Sequence, residues 1–155
     1  MVERGGQPVL IDREAIAGMI PHAGAMRLLD GVVSWDANRI KCSSRTHRDP
    51  HNPLRSDGQL SALCGIEYAA QAMAIHGWLA GSIHIAPRAG YMASLREVVC
   101  RARRLDDLEG DLFVEAERLM GEETRVIYSF EVRVGNTDVL RGRAAVVLDV
   151  DRAKT

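Results

Sequence analysis

Apolar and polar residues alternate most clearly in Val126-Ile127-Tyr128-Ser129-Phe130-Glu131-Val132-Arg133-Val134, where large apolar side chains take every second position and Ser129, Glu131 and Arg133 take the other face. A period of two in β-branched and aromatic residues predicts a strand. Gly135-Asn136 supplies a turn, and residues 139–150 return as the last strand of a hairpin. Residues 90–99, interrupted by Arg96 and Glu97, and residues 111–118 read as two further strands. Residues 28–35 and 40–46 read as a pair joined at Asp36-Ala37-Asn38. A different pattern fills residues 60–81, LSALCGIEYAAQAMAIHGWLAG, which are apolar or weakly polar on every side and carry Glu67 as their one charge. That run predicts a long buried helix. Its length alone would span a bilayer, but Glu67, Gln71, His76 and several glycines would be costly in lipid and no flanking Lys/Arg signal sets an orientation, so no membrane span is expected. Nearer the start, Asp12 caps a short helix over REAIAGMI that stops before Pro21, because Asp accepts first-turn N–H groups and Pro disfavours helix in the residue before it. Residues 48–58, polar and broken by Pro50, Pro53 and Gly58, form the loop that leads into the long helix.

The predicted order is therefore a short helix, two strands, one long helix and four strands. The class is α+β. A helix apolar on every side needs cover on every side, and a single antiparallel sheet provides it only by curling around the helix, which is the hot-dog arrangement. A ferredoxin-like sheet is disfavoured because only one long helix is present. With no repeat, linker or low-complexity segment, residues 1–155 read as one domain.

Composition narrows the setting. Hydrophobic residues make up 46% and charged residues 26% of the chain, as in an ordinary globular protein. A formal charge of −1 gives a nucleic-acid role no electrostatic support. The three cysteines, Cys42, Cys64 and Cys100, are far apart and form no C-x-x-C pair, which argues for a reducing compartment and against a zinc ribbon or a disulfide framework. Glu3 and Arg4 precede no continuous apolar stretch of the kind a signal peptide needs, so a cytoplasmic location is expected.

Glu67 and the histidine of His51-Asn52-Pro53, just upstream of the helix, form a candidate acid and base pair. Ile20-Pro21-His22 before Met26-Arg27-Leu28-Leu29-Asp30 resembles the entry motif of FabZ-like 3-hydroxyacyl-ACP dehydratases. His51-Asn52-Pro53 resembles their H-x-P turn, Glu67-Tyr68-Ala69-Ala70-Gln71 their E-A-x-A-Q helix, and Gly90-Tyr91-Met92-Ala93-Ser94 the strand that follows. Gly65-Ile66-Glu67-Tyr68 is most similar to the ApeP-like dehydratases associated with aryl-polyene and related acyl chains. The chain departs from the FabZ pattern in a longer His-to-Glu spacing and in Ser61-Ala62, which stands where that pattern places Pro-Gly.

The resemblance implies a hot-dog dehydratase acting on a 3-hydroxyacyl thioester held by acyl carrier protein on its phosphopantetheine arm, with no metal or redox cofactor. It further implies a homodimer, with His51 and Glu67 contributed to each site from the same or opposite protomers. The reaction needs removal of an α-proton and protonation of a departing hydroxide. His51, ordinarily titrating near pH 6.5, suits the base. Glu67 in apolar surroundings suits the acid, because desolvation favours the protonated carboxyl. Backbone N–H groups of Leu63, Cys64 and Gly65 at the helix start are candidate oxyanion donors, with Gly65 also letting the thioester approach closely.

Each residue also has a plainer reading. Gln71, one turn after Glu67, either orients that carboxylate or bonds a neighbouring strand. Glu67 outside this motif would be a buried carboxylate tied to an Arg or to N–H groups, and His51 a solvated loop residue. Cys64 is a candidate thioesterase nucleophile or a small packed residue. His47 and His51 are separated by Pro50, which breaks the helix that would set both toward one metal. Tyr68, Met73 and Trp78 read as core or dimer contacts, His22 as a loop-fixing residue, and His76 and His84 have no visible partner in the sequence. The basic stretch of Arg88, Arg96, Arg101, Arg103 and Arg104 is either a solvated strand and turn, with Asp106, Asp107 and Glu109 following, or a docking patch for the acidic carrier protein centred on Arg101, Arg103 and Arg104. Two alternatives keep the fold: hydrolysis of a thioester, with Glu67 activating water or attacking the carbonyl, and a catalytically weak subunit that partners another hot-dog dehydratase.

Overall fold

A computed structural model describes residues 8–81, 90–122 and 124–148. Among these residues, seven antiparallel strands form one sheet, and α2 (Gly65–Leu79) lies across its inner face. In chain order the elements are β1 (Ile11–Asp12), α1 (Arg13–Ile16), β2 (Gly31–Trp35), β3 (Arg39–Ser44), α2, β4 (Gly90–Cys100), β5 (Leu112–Gly121), β6 (Arg125–Val134) and β7 (Thr137–Leu148). Their order across the sheet is β1-β2-β3-β5-β6-β7-β4, so the strand that follows α2 ends up at one edge and β1 at the other. The sheet is not closed.

Most of this follows from local chemistry. Asp12 accepts from Ala15 N–H at 3.0 Å and caps α1. α1 is shorter than REAIAGMI suggested, because Gly18 and Met19 continue it with tighter bonds to Ala15 and Ile16, three residues back. Asp36 closes the β2–β3 turn by accepting from the N–H groups of Asn38 and Arg39 at 2.8 and 2.9 Å. The β6–β7 hairpin has a two-residue loop, and Gly135 takes φ +56° there, a sign that costs glycine least. Along β6 the residues Val126, Tyr128, Phe130, Val132 and Val134 are buried, as the alternation requires. Both Arg96 and Glu97 lie inside β4, accommodated by a bulge between Arg96 and Val99 at which Glu97 has φ 55°.

Two expectations need correction. Residues 28–30 are not part of β2, since the polar groups of Leu28 are taken by side chains instead: its N–H donates to Gln71 and its C=O accepts from Ser44 and Thr46. More consequentially, α2 is not enclosed on all sides. Tyr68, Ala69, Ala72, Met73 and Ile75 are buried in the core, whereas Leu63 and Glu67 are exposed and Ala70, Ala74 and Trp78 only half-buried. Those last five recur at helical spacing, so one stripe of α2 faces away from the sheet. Among the described residues no helix is long and apolar enough to cross a membrane.

His76, for which the sequence shows no partner, is fully buried and doubly bonded. Its Nε2 lies 2.9 Å from the Asp36 carbonyl and its Nδ1 2.7 Å from the Tyr128 hydroxyl. A carbonyl only accepts, so Nε2 carries the proton and Nδ1 accepts from Tyr128. Burial is the main cause that lowers the His76 pKa, and it also pushes the Tyr128 phenol up to about 12. Because the folded pKa lies below the unfolded value of about 6.5, the unfolded state binds the extra proton first, and stability present above that pH is lost as pH falls. Urea midpoints should therefore drop between about pH 7.5 and pH 5.5 in the wild type. The drop should be shallower in His76→Gln; equal slopes in the two proteins would refute the assignment.

Candidate active site

The loop between β3 and α2 is folded by its own side chains. Asp49 Oδ1 accepts from the His51 N–H at 2.8 Å, the Asp49 carbonyl from the Asn52 N–H at 3.0 Å, and Asn52 Oδ1 from the Leu54 N–H at 2.9 Å. Such side-chain-to-backbone bonds replace a ladder where Pro50 and Pro53 preclude one. Arg55 then reaches back to the Asp49 carbonyl at 2.9 Å and forward to the Gly58 carbonyl at 2.8 Å. The whole arm is fastened by Asp106, which accepts from the Leu60 N–H at 2.9 Å and pairs with Arg104 and, at 3.6 Å, with Arg55. The Arg104 guanidinium is the main reason the Asp106 carboxyl sits well below the usual carboxylate range.

Burial alternates through His51-Asn52-Pro53: His51 and Pro53 are exposed and Asn52 is buried. Asn52 Nδ2 donates to the Thr46 carbonyl at 2.8 Å and to the Tyr68 hydroxyl at 3.0 Å. Tyr68, buried on α2, also lies 2.8 Å from Thr46 Oγ1. Burial is the first cause that raises its pKa, so the phenol stays neutral. His47, earlier in the same loop, is fully buried, whereas His51 is exposed.

Glu67 follows a different course from the one expected. It is exposed on the uncovered stripe of α2, so the desolvation foreseen for it is not supplied by this chain alone. The residues around it also have settled duties. Gln71 accepts from the Leu28 N–H at 2.9 Å and donates to the Met26 carbonyl at 2.6 Å, so its amide braces the segment ahead of β2 and does not orient Glu67. The amides of Leu63, Cys64 and Gly65 are likewise engaged. Leu63 N–H donates to Ser61 Oγ at 3.2 Å, Cys64 N–H to the Ser61 carbonyl at 3.0 Å, and Gly65 N–H to the carbonyls of Ala62 and Leu63. They build a tight turn, capped by Ser61, in place of the oxyanion donors expected there.

Gly65 faces the sheet. A Cβ on it would lie 2.7 Å from Leu140 Cδ2 and 3.5 Å from Val132 Cγ1, so the glycine serves close helix–sheet packing instead of thioester approach. Cys64 is half-buried, and burial is the first cause that pushes its thiol above the ordinary value, which does not suit a nucleophile.

The basic stretch divides. Arg104 is paired with Asp106 and Asp107, so it clamps the fold and is not a free docking charge. Arg101 and Arg103 are exposed, on a segment whose backbone runs beside the start of α2, with Ala62 N–H donating to the Arg103 carbonyl at 3.0 Å. Arg88 and His84 lie outside the described residues. Sequence reasoning missed the linking roles of Asn52, Tyr68, Thr46, Arg55 and Asp106. The available signal was the hydroxyl of Tyr68, placed in an apolar run that would bury it; Asn52, in a polar loop, gave none.

An open antiparallel sheet holding one long helix across its inner face is the hot-dog fold. A family model for ApeP-like proteins, described as ApeP dehydratase, matches residues 14–154, and the chain belongs to that family. Among solved structures, the dehydratase heterocomplex ApeI:P from Xenorhabdus doucetiae superposes with a TM-score of 0.76 at 23% identity, covering 88% of this chain and 92% of that one. A hypothetical thioesterase with coenzyme A from Streptococcus pneumoniae TIGR4 has a TM-score of 0.56 at 8% identity, covering 76% and 83%. The E. coli PaaI protein of the phenylacetic acid degradation operon has 0.55 at 12%, covering 75% and 80%. These likenesses establish the shared fold. No curated protein matches the chain by sequence.

If Gln71 braces residues 26–28, Gln71→Ala leaves a buried N–H and a C=O without partners and should destabilise the fold by about 1–3 kcal/mol in urea unfolding. Loss of less than about 0.5 kcal/mol would return Gln71 to the list of groups free to act on substrate.

Proposed function

We propose that this chain takes part in dehydrating a 3-hydroxyacyl thioester carried on acyl carrier protein, with His51 as base and Glu67 as acid. The observation that carries this reading is the placement of Glu67, the one carboxylate of α2, on the helix to which the His51 loop is hydrogen-bonded, in a chain of the ApeP dehydratase family. His51 takes a proton from C2 of the acyl chain, Glu67 gives one to the 3-hydroxyl, the C3–O bond breaks, and a C2=C3 double bond and water result. Acid and base assistance each contribute roughly 10²–10⁴-fold. No metal or redox cofactor takes part in this scheme.

A second hot-dog subunit completes the site by covering the open stripe of α2. Support comes from the exposure of Glu67 in the single protomer and from the solved relative, which is a heterocomplex. The same observations favour a second reading, in which this chain is a weakly active subunit that supports a catalytic partner. Arg101 and Arg103 offer the exposed positive charge for the acidic carrier protein, speeding encounter more than tightening the final complex. A cytoplasmic setting accords with that partner and with the free cysteines.

The test incubates 3-hydroxyacyl carrier protein with the purified chain, alone and with a second hot-dog subunit, and follows the acyl group by mass. Loss of water is expected, and Glu67→Gln and His51→Ala should each slow it by at least about 100-fold while the fold persists. Release of free acid would replace dehydration with thioester hydrolysis. Activity that needs the second subunit and survives both substitutions would make this chain the supporting member.

A further inference from the structure

The two residues proposed for the chemistry, His51 and Glu67, share a feature that neither motif states: each is exposed and each is followed by a buried polar residue, and those two followers are bonded to each other. Asn52 Nδ2 lies 3.0 Å from the Tyr68 hydroxyl. We infer that Asn52 and Tyr68 form a positioning latch that fixes the His51 turn in register on α2, the helix that bears Glu67. This inference rests on the dehydratase reading above.

Directionality in the hydrogen bonds shows how the latch is held. Thr46 Oγ1 donates to the Leu28 carbonyl at 2.7 Å, so its one proton is used. The Tyr68 hydroxyl, 2.8 Å away, must then donate to Thr46 Oγ1, which leaves its lone pair for the Asn52 amide. Protons thus point one way, from the His51 turn through Tyr68 and Thr46 to Leu28. The far end is rigid as well, because Leu28 N–H is held by Gln71 at 2.9 Å and Ser44 Oγ donates to the Leu28 carbonyl at 2.6 Å. Asn52 Nδ2 also donates to the Thr46 carbonyl at 2.8 Å, and its Oδ1 accepts from the Leu54 N–H at 2.9 Å. Sliding of the turn would break these bonds together. Such a chain is more demanding than an apolar contact of equal area, since every member loses its partner if one moves. Acid-base chemistry at two adjacent carbons has the matching need, as small displacements of either group are costly in rate.

Tyr68→Phe removes one oxygen and is the informative variant. Tyr128→Phe, which removes a buried hydroxyl bonded to His76 instead, is the control for plain loss of stability. Two readouts are compared: amide hydrogen exchange at residues 51–55, and kcat and KM for dehydration in whichever subunit composition is active. Tyr68→Phe should speed exchange at residues 51–55 at least about fivefold and lower kcat roughly 10–100-fold, with KM changed less than about twofold. Tyr128→Phe should do neither, even where its Tm falls as far. Asn52→Ala should match Tyr68→Phe, and the double variant should be no slower than the worse single one. Exchange in Tyr68→Phe no faster than in Tyr128→Phe overturns the latch, whatever the activity. Faster exchange with unchanged kcat overturns the positioning role alone and leaves the dehydratase reading intact. A wild type that never dehydrates, alone or with a partner, removes that reading, and the positioning role falls with it.

Discussion

Leaving a polar group buried without a partner costs roughly 1–3 kcal/mol, and α2 buries three polar side chains: Tyr68, Gln71 and His76. Each finds its partner outside α2. Tyr68 takes Thr46 and Asn52 in the loop ahead of the helix, Gln71 takes residues 26–28 ahead of β2, and His76 takes the Asp36 carbonyl in the β2–β3 turn and the Tyr128 hydroxyl of β6. The apolar residues of α2 decide which face meets the sheet, but apolar contact is non-directional. Specific register between the helix and the irregular segments around it comes from these directional bonds. The helix is thus both the core of the fold and the fixture on which its loops are set.

That arrangement also accounts for the open stripe. Gly65, Ala69 and Ala72 bring the helix close to the sheet, with Leu140 and Val132 directly beneath Gly65. Close approach on one side leaves Leu63 and Glu67 exposed and Ala70, Ala74 and Trp78 only half-covered. A carboxylate is a useful acid near neutral pH only when its surroundings favour the protonated form, and exclusion of water is the commonest way to achieve this. On the proposed reading, the subunit that covers the stripe therefore contributes to the chemistry as well as to assembly.

The elements were legible because their signals are local. Strict alternation in residues 126–134 marked β6, Asp36 and Gly135 marked two turns, and the long apolar run marked α2. What the run could not show is which of its faces the sheet would take, because its apolar residues surround the axis and leave little amphipathic bias. The exposure of Glu67 was hidden for that reason. The duties of Gln71 and of the Leu63, Cys64 and Gly65 amides were hidden for another. Hydrogen bonds across 43 or 45 residues, as from Gln71 to Leu28 and Met26, leave no periodicity to read. Ser61 is an instructive case: where the FabZ pattern places Pro-Gly, its side chain caps the turn itself, so the helix entry is preserved by different means.

Fold likeness alone does not separate the possible chemistries, since the same architecture accommodates the thioesterase and dehydratase neighbours. The demands of the reactions do. Hydrolysis of a thioester through one carboxylate needs a water and a carbonyl near that group, and tolerates looseness in a neighbouring loop. Dehydration across C2 and C3 needs two side chains at a fixed separation, one for each carbon. A chain that buries Asn52 and Tyr68 to tie the His51 turn to α2, accepting the entropy lost in ordering both side chains, has invested in register. Register matters most where two groups must act on one substrate together, and on the proposed reading the Asn52–Tyr68 bond serves that requirement.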